Sequence, residues 1–147
     1  MRKKEAIVDL IGRVAMVDPN LDTVPSSRPG ECCIIQEVRS EIHRERIYVA
    51  FEDGKLDFLG PSDLLVLRSK RDILQSIVSS SENMTKDDYK NLLKILQLET
   101  GKQPVPALQL AMTKQCYIDH CIVNCKEWVL IKETQRLKKF KRQGKGI

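Results

Sequence analysis

Residues Arg46 to Gly60 read RIYVAFEDGKLDFLG. Ile47, Val49 and Phe51 alternate with Tyr48 and Ala50, the period of an extended strand with one fully apolar side. Asp53-Gly54 then supplies a tight turn, and Lys55 to Leu59 returns as a second strand. A turn dipeptide between two such runs is a strong short-range hairpin signal. The N-terminal half is therefore read as a small antiparallel β module, a class that binds ligands more often than it transforms them.

Working outward, Gly12 to Val17 (GRVAMV) is β-like and Glu31 to Val38 (ECCIIQEV) is β-rich. Between them Asp18 to Gly30 (DPNLDTVPSSRPG) is a long loop of turn formers. Residues 1–10 are a lead-in, and Glu41 to Glu45 is a polar connector. After the hairpin, Gly60-Pro61-Ser62-Asp63 breaks the chain for one turn before a final strand, Leu64 to Leu67. Five short strands result, with Val14, Ile34, Val49, Phe51 and Leu65 as the expected core and no reactive pocket.

This order, carried by GRVAMV, PGECCII, IYVAFEDGK and SDLLVL, resembles the Src-homology-3-like small barrels of the Tudor and KOW type. Pro29-Gly30-Glu31 is similar to the segment around the glycine that opens the second strand of KOW modules. The resemblance covers Ile11 to Leu67. It implies a closed five-stranded barrel with ligands held near the Asp18–Gly30 loop and the Asp53-Gly54 tip. It also raises methylated-cation binding, which requires an aromatic cage. Tyr48, Phe51 and Phe58 are the barrel's aromatic residues, and Phe51 is assigned to the core, which leaves too few rings.

Beyond residue 68 the period becomes helical. Ser69 with Asp72, and Thr85 with Asp88, are capping patterns. Ile73, Leu74, Ile77 and Val78 form one apolar stripe, and Tyr89, Leu92, Leu93 and Leu96 a second. Ser79 to Asn83 reads as a linker, Gly101 as a helix stop and Pro106 as a first-turn proline. From Ala107 onward one or two helices are expected, with Trp128 to Ile131 (WVLI) compatible with helix or strand. The fold class is thus α+β: a five-stranded barrel over 11–68, then a region of three or four helices over 69–147.

Charge is distributed unequally. The chain carries a net +5, but residues 1–68 sum to −2 and residues 69–147 to +7. Lys132 to Ile147 holds seven basic residues and one acidic residue. Basic side chains that neutralise phosphates bind nucleic acid without sequence specificity. Arg136, Lys138, Lys139, Lys141 and Arg142, with Phe140 among them, are therefore the candidate nucleic-acid-binding residues. The alternative is a protein-interaction module with an inert, solvated tail.

Other chemistries find little support. Nucleotide-cradling glycine strings and the hydrolase nucleophile elbow do not occur. Cys116, His120, Cys121 and Cys125 invite a zinc reading. On one continuous helix, however, Cys116 and His120 would share one face and Cys121 and Cys125 another, so four ligands could not converge. Five cysteines, an odd number with Cys32 and Cys33 adjacent, do not form a disulfide framework. The reading is a non-catalytic, cytosolic protein with reduced thiols. It calls for no metal, no cofactor, no membrane segment and no small-molecule substrate.

Overall fold

The computed structural model describes residues 9–21, 28–41 and 44–145, with side chains for all of these except positions 41, 44, 136 and 139–145. The lead-in over 1–8, the loop centre over 22–27 and positions 42–43 lie outside the described residues.

Six strands form one open antiparallel sheet: β1 (Val14–Val17), β2 (Cys32–Glu41), β3 (Arg44–Phe51), β4 (Leu56–Leu59), β5 (Leu64–Leu67) and β6 (Ile122–Asn124). Their spatial order is β4-β3-β2-β1-β5-β6. The expected hairpin is present. Phe51 donates its N–H to the carbonyl of Lys55 (2.9 Å), Gly54 donates to the carbonyl of Phe51 (2.9 Å), and the Asp53 carboxylate accepts from the Lys55 N–H (3.0 Å). Gly54 sits at φ +84°, where a side chain would be strained.

The expected closed barrel is corrected to an open sheet, because β4 and β6 form its two edges. The second edge comes from far along the sequence. Ile122 and Val123 pair with Leu67 and Val66, so a strand from the C-terminal half extends the N-terminal sheet. The polar connector over Glu41–Glu45 shrinks as well, since β2 runs to Glu41 and β3 starts at Arg44.

Five helices are described: α1 (Lys70–Ser80), α2 (Lys86–Thr100), α3 (Pro104–Ala111), α4 (Gln115–Cys121) and α5 (Cys125–Lys145). Single 3-10 turns occupy Pro61–Asp63 and Ser81–Asn83. Both capping patterns hold: the Ser69 hydroxyl accepts from the Asp72 N–H and the Thr85 hydroxyl from the Asp88 N–H, each at 3.2 Å. Several local expectations are overturned. The linker at 79–83 is the end of α1 followed by a 3-10 turn. By contrast, Gly101 caps α2 as expected, its N–H donating to the Gln97 carbonyl at 2.9 Å, and Pro106 lies in the first turn of α3, which opens at Pro104. From Ala107 onward the chain completes α3 and adds α4, β6 and α5 where one or two helices were expected, and WVLI lies inside α5.

The sheet separates two cores. On one side Ala15, Val17, Cys33, Ile35, Ile47, Val49, Phe51, Leu59, Leu64, Val66 and Val123 pack with Cys125, Trp128 and Val129 of α5. On the other, Met16, Leu67 and Ile122 pack with residues of α1 to α4, among them Ile73, Ile77, Leu92, Ile95, Leu108 and Cys121. Strands β1, β5 and β6 thus send alternate residues into different cores. This corrects the expected barrel core. Val49 and Phe51 belong to it, but Val14 and Leu65 face the helical core, and Ile34 is 46% exposed beside Ile35 at 1%. In β2 a bulge between Ile35 and Glu37 adds one residue, so Val38 also turns inward. Leu74, Val78 and Tyr89, expected within apolar stripes, are exposed.

One polar cluster ties α2 to α4. The Asp88 carboxylate accepts from Lys114 Nζ at 2.8 and 2.9 Å and from the Tyr117 hydroxyl at 3.0 Å. The Asn91 amide donates to the same hydroxyl. The Lys114 hydrogen bonds hold the Asp88 carboxyl below the usual carboxylate range, and Asp88 in turn raises Lys114.

Two predictions follow from this packing. Ile35→Ala is expected to cost about 2–5 kcal/mol of stability, whereas Ile34→Ala stays within about 0.5 kcal/mol. Urea denaturation measures both, and reversed costs would place the strand in the other register. Asp88→Asn is expected to lower the urea midpoint at neutral pH. A carboxylate whose folded pKa is depressed contributes fully above its unfolded value of about 3.9 and loses that contribution as pH falls through the folded value. The gap between wild type and Asp88→Asn should therefore close in acid. A gap independent of pH would assign the effect to packing.

Candidate nucleic-acid interface

Helix α5 starts where β6 ends. The Asn124 side chain accepts from the Glu127 N–H at 2.8 Å and fixes the first turn. Cys125, Trp128 and Val129 anchor that end in the sheet core, with Trp128 only 2% exposed and the guanidinium of Arg13 4.9 Å from its ring centroid. Gln135 makes the outermost described contact with the body, donating to the Asp72 carboxylate at 3.2 Å. The backbone stays helical to Lys145.

The five sequence-predicted binding residues, Arg136, Lys138, Lys139, Lys141 and Arg142, all fall on this helical extension. Lys138 is exposed; the side chains of the other four lie outside the described residues. At 100° per residue, positions 138, 139, 141, 142 and 145 share an arc of about 160°. Position 136 falls outside that arc, with 137 and 140. The arc continues the side of the helix that carries Trp128, Ile131 and Gln135. Along that side, between α1 and α5, runs a shallow polar groove of about 470 Å³ lined by Arg68, Asp72, Gln75, Ser76, Ser79, Ser80 and Ile131.

A second basic surface was not singled out from the sequence. It is the face of β2–β3–β4 turned away from the sheet core. Tyr48 and Phe58 are cross-strand partners with ring centroids 5.8 Å apart. The guanidinium of Arg39 lies 4.8 Å from the Tyr48 ring centroid, and that of Arg46 lies 4.7 Å from the Phe58 ring centroid. Phe51 is buried, as assigned from the sequence, with Arg28 stacked 4.6 Å from its centroid. Each of these three rings therefore has a guanidinium lying against it. The signal available in the sequence was the period-two run Arg46, Tyr48 opposite Phe58, legible only once the hairpin register was fixed.

A second, open groove of about 850 Å³ lies beside the Asp53-Gly54 turn. Val14, Cys32, Ile34, Ala50 and Val105 give it apolar walls, and Arg28, Glu31 and Asp53 form an ion-paired rim (Arg28 to Asp53, 3.0 Å). The hydrogen bond to Arg28 lowers the Asp53 pKa. The Asp18–Gly30 loop borders this groove through its described residues Arg28 and Gly30.

Three of the five thiols are buried in the two cores. Burial pushes Cys33, Cys121 and Cys125 up to about 12, whereas nucleophiles and metal ligands require the thiolate. The helical-face argument applied to Cys116–Cys125 is replaced by a different geometry, because α4 ends at Cys121 and β6 intervenes before Cys125 opens α5. Among the described residues no three His, Cys, Asp or Glu side chains gather to hold a metal ion. His120 hydrogen-bonds Ser76 at 2.6 Å and joins α4 to α1. Among the described residues no helix is long and apolar enough to cross a membrane. No protein family, curated protein or solved structure matches the chain.

Thiol labelling tests the burial pattern. A maleimide at mildly alkaline pH is expected to modify the half-buried Cys116 and Cys32 first and to spare Cys33, Cys121 and Cys125 until denaturant is added. Rapid loss of all five native thiols would contradict the packing around α5 and β6.

Proposed function

We propose that the protein is a non-catalytic, cytosolic accessory protein that attaches to nucleic acid through the basic end of α5. The observation that carries this reading is the helical continuation to Lys145, which turns a run of charges into an arc presented on one side. A rigid basic arc can neutralise neighbouring phosphates together and release their counterions. The adjacent serine-lined groove supplies hydroxyls of the kind that contact phosphate and sugar oxygens. The sheet is proposed as an opened relative of the Src-homology-3-like barrels, supported by its β1 to β4 meander, the one-turn break at Pro61–Asp63 and the return of β5 beside β1.

A second reading, a protein-interaction module, is favoured by the groove beside the Asp53-Gly54 turn. Its apolar walls and charged rim suit a peptide rather than a polyanion.

The deciding experiment is an anisotropy titration of labelled duplex DNA over a range of salt. Wild type is expected to give a log–log salt slope near −4 to −5, corresponding to about five phosphates. Replacing Arg136, Lys138, Lys139, Lys141 and Arg142 together by Gln, a good helix former, should remove most of that slope while the circular dichroism spectrum is retained. Absence of wild-type binding at low salt would reject this function in favour of the protein-interaction reading.

A further inference from the structure

The outer face of β2–β3–β4 is built in a way that a merely solvated sheet face does not require. Arg39 and Arg46 are direct cross-strand partners. Glu37 accepts from Arg39 at 3.1 Å and orients its guanidinium. The two arginines then repeat one diagonal step across the sheet: Arg39 of β2 lies over Tyr48 of β3, and Arg46 of β3 over Phe58 of β4. Phe58 is 48% exposed, and Ile34 and Leu56 extend the apolar surface on the same face.

We infer that this face is a stacking platform for single-stranded nucleic acid. Unpaired bases stack on aromatic rings and on guanidinium planes. A guanidinium that lies against a ring through its face keeps in-plane N–H donors for phosphate oxygens. Alternating rings and guanidinium groups on adjacent strands match a polymer that alternates planar bases with anionic phosphates. A duplex hides its base faces and gains nothing from the rings. An acidic peptide matches the charge but not the stacking surface. The inference rests on the nucleic-acid reading and deepens it: the α5 arc supplies non-specific attachment, and the sheet face selects unpaired strands.

The test uses the full chain and a labelled oligouridine of about 12 nucleotides, compared with a duplex of equal length. Phe58→Leu and Arg39→Gln are made separately. Both side chains are about half exposed, so each variant is expected to melt like wild type. Wild type should prefer the single strand. Each variant should weaken single-strand binding, about 5- to 20-fold for Phe58→Leu, without changing duplex binding. The five-glutamine α5 variant should weaken both forms by a similar factor and keep the preference.

Equal wild-type affinity for the two forms would overturn the platform. Single-strand affinity unchanged in both substitutions would do the same. Single-strand affinity that is unchanged in both sheet variants but falls, together with duplex affinity, when the α5 charges are removed takes away the platform and leaves the proposed function standing. No binding of either form removes both.

Discussion

Leu64 and Val66 point into the core beneath Trp128, while Leu65 and Leu67 point into the core built by the helices. Strand β5 therefore has no solvent face, and β1 beside it is nearly the same. This constraint organises the rest of the structure. Apolar area on both sides of a strand must be covered, and at roughly 25 cal/mol per Å² the cost of leaving either side wet is large for a chain of this size. Helices α1 to α4 cover one side; the first turns of α5 cover the other. The two halves of the sequence meet along these strands.

The same constraint explains which surfaces remain for binding. Strands β2 to β4 have one buried face, and among the described residues the other carries Arg39, Arg46, Tyr48 and Phe58 toward solvent. Helix α5 spends its first three turns on Trp128 and its neighbours and then extends past the last described contact of Gln135. Charge and aromatic groups collect where no core demands apolar residues. The buried groups with reactive chemistry are spent on structure: high-pKa thiols in both cores, Ser76–His120 between α4 and α1, and Asp88 between Lys114 and Tyr117.

Much of the fold was legible in local signals. Asp53-Gly54 fixed the hairpin, and Ser69 and Thr85 marked two helix starts, because turns and caps are satisfied by neighbours in sequence. The failures have a common cause. Val14 and Leu65 are apolar and sit at the right period, but alternation cannot say which side of a strand is buried when both sides are. Ile34 and Ile35 differ only by one step of the pleat, and the bulge after Ile35 has no mark in the sequence. β6 was hidden because three residues gain their strand identity from β5, fifty-five positions earlier at Leu67 and Ile122. Of the two surfaces proposed to bind, the basic run of α5 was visible as composition, whereas the Arg–aromatic ladder exists only across strands.

The central claim is that nucleic acid is engaged by these two solvent-facing surfaces and not by the groove or the helical core. Backbone amide chemical-shift mapping of the isotope-labelled chain, titrated with an unlabelled single-stranded oligonucleotide, examines that directly. The account predicts perturbations along Arg39, Arg46, Tyr48 and Phe58 and along α5 beyond Gln135, with α2 and α3 silent. Perturbations confined to the groove around Val14, Cys32 and Val105, or a spectrum that does not change, would contradict it.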